Sequence, residues 1–316
     1  MLSLLARKPW YLLVLPAAVL MAALGVRSGS FLHGDTAEVV AASNGTAAEV
    51  TAPLLAAATV VPEQSTAVAA GLPLDLRASF ENGSDLYAYA HQLQVAADAG
   101  NAEAGWVASR IYDYCGVFAM DPSGYALDSA ALQRMDLNAI SAMLAARGRV
   151  RQGCAGFTAA DNLGRARVLQ QRRASAKAGN LAAEAALLSM GEPLSETPRY
   201  RRELVERVQS SADPEAFLAI SGAMGTAAAG DDAYKGMVAG TQFSQLAWQV
   251  AACQLGLACG PESALMVAYC ANGGICSRDP RQDFESFVYD AAVPRQGVEK
   301  MNEMVSSLRN AQRGVR

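Results

Sequence analysis

Ala97-Asp98-Ala99-Gly100-Asn101-Ala102-Glu103-Ala104 is the stretch on which the fold turns, because Ala176-Lys177-Ala178-Gly179-Asn180-Leu181-Ala182-Ala183-Glu184-Ala185 repeats it later in the chain. Upstream of the first copy, Leu86, Ala90, Leu93 and Ala97 recur at the period of one helical face, with Ser84 placed to cap the start. Gly100 ends that helix, since a left-handed residue costs glycine little. Asn101 then caps a second helix, whose Ala104, Val107, Ala108, Ile111 and Cys115 share one side. Two helices joined by a single Gly-Asn step form an antiparallel hairpin. Weaker echoes stand at Met135-Asp136-Leu137-Asn138-Ala139, at Ala212-Asp213-Pro214-Glu215-Ala216 and at Leu255-Gly256. The turns fall roughly 33–44 residues apart, the period of a helix-pair solenoid.

Composition points the same way. The 316 residues are 52% hydrophobic but only 7% aromatic, and the chain is rich in Ala. A β-sandwich or barrel needs more β-branched and aromatic strand formers. The net charge of −4 argues against nucleic acid as a partner, because nucleic-acid-binding domains are usually strongly basic. Only two histidines occur, His33 and His91, which excludes most His-based metal sites and triads.

The start of the chain sets the compartment. Residues 1–30 carry Arg7 and Lys8, then an uncharged run from Pro9 to Val26 closed by Arg27. A basic segment before an apolar run is a secretory signature. Two outcomes stay open: cleavage after Gly25 as a signal peptide, or retention of residues 9–26 as an inner-membrane anchor. No Cys follows the run, so a lipoprotein anchor is excluded. Either way the remainder is exported, and a periplasmic location is expected. Residues 31–83, rich in Ala, Thr, Val, Pro and Ser, read as a low-complexity linker. Residues 84–316 then form the α-helical domain. Asn44-Gly45-Thr46 and Asn82-Gly83-Ser84 match the glycosylation pattern, but it is short and common by chance.

Two groups of segments carry a family resemblance. Gly100-Asn101-Ala102-Glu103-Ala104 with Ile111-Tyr112 and Gly116, and Asp213-Pro214-Glu215-Ala216-Phe217-Leu218 with Gly222 and Met224, resemble Sel-like repeats, short helix-pair relatives of the tetratricopeptide repeat. Ala252-Cys253-Gln254-Leu255-Gly256 with Cys259 resembles the disulfide-bridged, cysteine-rich branch of that family. The mid-helix glycine is Ser109 in one copy and the Gly-x-Gly loop is missing, so the resemblance is to a degenerate solenoid. It implies protein or peptide binding on a concave face, with no fixed chemistry.

An exported chain with six cysteines, Cys115, Cys154, Cys253, Cys259, Cys270 and Cys276, is expected to form three disulfides. Cys253 to Cys259 and Cys270 to Cys276 share the pattern Cys-x-x-Gly-x-x-Cys, in which glycine lets the chain reverse at a helix end. That favours local staples Cys253–Cys259 and Cys270–Cys276, leaving Cys115–Cys154. The crossed pairs Cys253–Cys270 and Cys259–Cys276 are the alternative. Structural zinc prefers two to four residues between paired cysteines, and neither His lies near in sequence, so no metal is expected.

Catalytic signatures are missing from the sequence: no phosphate-binding loop, dinucleotide fingerprint, His-Glu-x-x-His or Gly-x-Ser-x-Gly. No cofactor is expected. His91 reads as a solvated helix-face residue, and Asp231-Asp232 as a loop or helix start. The stretch from Arg147 to Arg207 is basic, and Arg147, Arg149, Arg151, Arg172, Arg173, Arg201 and Arg202 are candidate contacts for an anionic partner. The competing reading is that they coat solvated helix faces. Trp106, Tyr112, Tyr114, Trp248 and Tyr269 fall at helical spacings and read as packing residues. Val298, Met301, Met304, Val305 and Leu308 form an amphipathic helix expected to cap the open end. The expectation is therefore a non-enzymatic, all-α protein that binds another envelope protein or peptide. The alternative is a cell-wall hydrolase on a helical scaffold.

Overall fold

The computed structural model describes residues 75–135 and 138–310. Among these residues the chain is all-helical, with no strand. In order the helices are α1 (Leu76–Asn82), α2 (Leu86–Asp98), α3 (Ala102–Met120), α4 (Pro122–Gln133) and α5 (Asn138–Gly153). They continue with α6 (Arg165–Lys177), α7 (Leu181–Ser189), α8 (Pro198–Ser211), α9 (Pro214–Ile220) and α10 (Gln242–Gln254). The last are α11 (Ala264–Ala271), α12 (Phe284–Ala292) and α13 (Val298–Asn310).

The repeated Gly-Asn step has the same geometry at both copies. Gly100 and Gly179 have φ of 95° and 98°. Gly100 N–H donates to Ala97 O and Asn101 N–H to Ala96 O; Gly179 N–H and Asn180 N–H do the same to Ala176 O and Ser175 O. These bonds satisfy the last carbonyls of α2 and α6. Asn101 and Asn180 then accept from Ala104 N–H at 3.0 Å and Ala183 N–H at 2.8 Å, capping α3 and α7. Asp213 caps α9, after a left-handed Ala212. Gly191 and Gly256 close α7 and α10 with the same paired backbone bonds.

The main helix packings are α2 on α3, α3 on α6, α6 on α7, α7 on α9, α9 on α10, and α10 on α13. Their contact faces are small and apolar. Ala104, Val107, Ala108, Ile111 and Cys115 of α3 are all buried, as expected, and α7 buries Ala182, Ala183, Ala185 and Leu187. Short side chains let the axes approach closely. Trp248 is wholly buried, leans on Phe217 at 5.0 Å between ring centres, and donates Nε1–H to Val238 O at 2.8 Å. The tail forms α12 and α13, and Met301, Val305 and Leu308 are buried where α13 covers α10.

Two features depart from the sequence reading. The stretch read as linker, 31–83, holds α1 in its last part, capped by Asp75, whose carboxylate accepts from Arg77 N–H and Ala78 N–H. The cap of α2 is Asp85 rather than Ser84; its carboxylate accepts from Ala88 N–H. A carboxylate near the helix N-terminus also gains from the dipole. Between α3 and α6 the chain makes an excursion, α4 and α5, and α5 reaches across to pack on α11.

All six cysteines are paired as Cys115–Cys154, Cys253–Cys259 and Cys270–Cys276. The first ties α3 to the end of α5, and the others staple the ends of α10 and α11. The crossed alternative is excluded by these pairs. Three disulfides point to an oxidising, extracytoplasmic compartment. The expected signal or anchor, residues 1–30, lies outside the described residues. No helix among the described residues is long and apolar enough to cross a membrane.

Candidate functional site

Trp106, Arg110 and Tyr114 stand four residues apart along α3, so they form one stripe beside its packing face. That stripe faces a cleft of about 360 Å³, whose other walls come from α1, α6, α7, α9 and α11. Arg172, Met190, Leu218 and Leu265 are among its lining. The wall is largely apolar, with a few convergent polar groups, the usual make-up of a ligand site.

Two of the polar groups are buried donors, Arg172 and Trp106, and Asp113 supplies a carboxylate. Arg172 is buried; it donates to Asp113 Oδ2 at 2.8 Å and to the weak acceptor Met190 Sδ. Its Nε–H finds no acceptor among the described residues, nor does Nε1–H of the buried Trp106. The Arg172 guanidinium carbon lies 5.6 Å from the centre of the Trp106 ring. Burial pulls the Arg172 guanidinium below its ordinary value; Asp113 opposes this and Arg110 adds to it. A buried donor without a partner costs about 1–3 kcal/mol.

Arg110 knits three elements together. Its guanidinium pairs with Glu215 of α9, lies 3.7 Å from the Glu81 carboxylate, and sits 4.7 Å from the centre of the Phe80 ring. Glu81 also accepts from the first N–H of α11, Ala264, at 2.8 Å. Burial raises the Glu81 carboxyl above the usual range, against the pull of Arg110 and Ala264 N–H. Burial also pushes the Tyr114 phenol up, with Tyr125 and Glu81 adding to the effect.

A second cleft, of about 520 Å³, lies between the loop before α2, the end of α5 and the start of α11. Phe80, Tyr114 and Ala264 line both clefts. Glu81 and Glu262 line the second one. Glu262 is exposed and paired with Arg149, whose hydrogen bond and charge hold its carboxyl below the usual range.

The candidate arginines do not gather. Arg147, Arg149 and Arg151 lie on α5, Arg172 and Arg173 on α6, Arg201 and Arg202 on α8. Arg147 stacks 3.7 Å from the centre of the Tyr125 ring and donates to Ser129 Oγ and Tyr125 O. Arg173 pairs with Glu192, Arg201 with Asp231 and Arg202 with Glu206. Arg151 is exposed, and Arg172 alone of the seven lines the first cleft. Asp231 caps a short turn through Ala233 N–H, the structural role expected of it. His91 is exposed against Tyr87.

Sequence reasoning missed Arg110, Glu81 and Glu215. A lone arginine inside the apolar run from Val107 to Ile111 was the available signal, since a charge there needs a partner. No group of metal-ligating side chains occurs among the described residues. No protein-family model, curated protein or solved structure matches this chain.

Proposed function

We propose that the chain is an exported, periplasmic helix-pair repeat protein of the Sel-like kind that binds a peptide segment of another envelope protein. The carrying observation is the cleft walled by α1, α3, α6, α7, α9 and α11, whose lining includes Arg172 and Trp106, each with a buried N–H that finds no acceptor among the described residues. A peptide supplies carbonyl and carboxylate acceptors together with apolar side chains, which suits such a wall. The repeated Gly-Asn turns favour the repeat reading, and the three disulfides favour export. The test is capture from the protein's own envelope, with wild type beside W106A and R172A. The reading expects a protein retained by wild type and lost from both folded variants. Equal recovery by all three defeats it.

A second reading, a cell-wall hydrolase, is favoured by one observation. Glu81 and Glu262 line a single cleft with their carboxyls displaced in opposite directions, the pattern of an acid and base pair. Both oxygens of Glu81 are already engaged by Ala264 N–H and Arg110, which weighs against it. Turnover of purified peptidoglycan fragments that disappears in E81Q would establish this reading over the first.

A further inference from the structure

α1 borders both clefts, which share Phe80 with Tyr114 and Ala264 and so meet around its aromatic anchor. Seven residues are too few for a helix to stand alone in water, so α1 owes its form to the surface beneath it. It is held differently from the core helices. Phe80 alone is fully buried, set edge-on to Tyr114 at 5.8 Å and under the Arg110 guanidinium. Leu76 is half-buried against the core, and most of the other anchors are charged. Arg77 donates to Glu103 and to Asp213, each at 2.6 Å, where the starts of α3 and α9 converge. Glu81 meets Arg110 and the first N–H of α11. The Leu76 carbonyl accepts from Tyr89 Oη–H at 2.9 Å. One aromatic anchor in a pocket, ringed by ion pairs, is the make-up of a docked ligand at an interface. Core elements are packed to crystal-like density, whereas α1 leaves open space on both sides of its anchor.

We propose that this groove is a docking site for a short helix presenting a basic residue, then an aromatic and a carboxylate three and four positions later, and that α1 occupies it in cis. Arg77, Phe80 and Glu81 are that pattern. A partner bearing the same chemistry competes with α1, so the tethered segment sets the affinity the groove shows to others. This rests on the peptide-binding reading and adds its regulation.

The test uses the full chain and a labelled synthetic peptide of residues 75–84. Wild type, with α1 seated, binds the peptide weakly. R77A/F80A, with α1 loosened, binds at least about tenfold more tightly. A peptide carrying Phe80→Ala loses that gain. Circular dichroism and the melting temperature verify folding, and R77A alone replaces the double variant where that fails to fold. Equal affinity for wild type and a folded variant, or no binding to the folded variant, overturns the proposal. Peptide binding with no captured envelope partner defeats the function reading and leaves this one standing. Capture that depends on Trp106 and Arg172, without peptide binding, does the reverse.

Discussion

Arg110 and Glu215 form an ion pair from the middle of α3 to the first turn of α9, and the Glu215 side chain is only 3% exposed. The residues lie 105 positions apart, so the pair joins the early and late parts of the helical domain. Its desolvation is offset only while both charges remain. Glu215→Ala leaves Arg110 buried with the weaker help of Glu81, and a loss of about 3–5 kcal/mol is expected. Glu215→Gln keeps an acceptor and is expected to lose less. Urea denaturation of both variants measures the difference; equal, small losses would show that the pair contributes little.

The long disulfide closes 39 residues of chain, the short ones six each. Loop entropy assigns ~4 kcal/mol to Cys115–Cys154 and ~2 kcal/mol to each short staple. C115A/C154A is therefore expected to be the most damaging of the three paired replacements. Chemical denaturation ranks them. Intact mass with and without reductant counts the bridges directly, and three is the expected number.

Gly100 and Gly179 occupy backbone space that a side chain enters at a cost. A Cβ at either position meets open space, so strain is isolated from crowding. Gly100→Ala and Gly179→Ala should each lower stability by ~1–2 kcal/mol. At Gly148, helical in φ and equally open, the same change should be neutral or slightly stabilising. Thermal melts of the three variants check this.

Glu81 carries a pH prediction. Its carboxyl is raised by burial from the ordinary 4.5. The folded form therefore holds its proton more tightly than the unfolded chain. Its contribution is fully present below about pH 4.5 and is lost as pH rises through the folded value. Glu81→Gln removes that loss, so the stability of E81Q relative to wild type should improve as pH rises from 4.5. A gap that does not vary with pH would contradict this.

Trp248 tests the core. Its ring is fully enclosed and its Nε1–H bond to Val238 O crosses to the loop before α10. Trp248→Ala should cost about 3–5 kcal/mol, whereas His91→Ala, on an exposed helix face, should change little. Denaturation midpoints compare the two.

What could be read from the sequence was local. The Gly100-Asn101 and Gly179-Asn180 steps announce themselves because a left-handed glycine followed by a capping Asn has few other uses. The Cys-x-x-Gly-x-x-Cys spacing likewise yielded the two staples, since each closes within one helix end. The cleft was not legible. Arg110 gains meaning only when Glu215 and Glu81 arrive from distant elements, and no periodicity encodes that meeting. α1 is too short to show a helical period and sits in an Ala- and Thr-rich surrounding, so tertiary contacts through Arg77 and Phe80 decide its state. The arginines from Arg147 to Arg207 read either as candidate contacts for an anionic partner or as solvated helix faces; three helices scatter the seven candidates, and most find acids of their own.

The packing of α5 on α11 alters how the molecule comes apart. A row of paired helices held only to its neighbours can fray from either tip, one pair at a time. Here the excursion after α3 clasps α11, more than a hundred positions later. The late helices cannot separate until that contact opens, and melting should register as one sharp heat-absorption peak instead of a staircase.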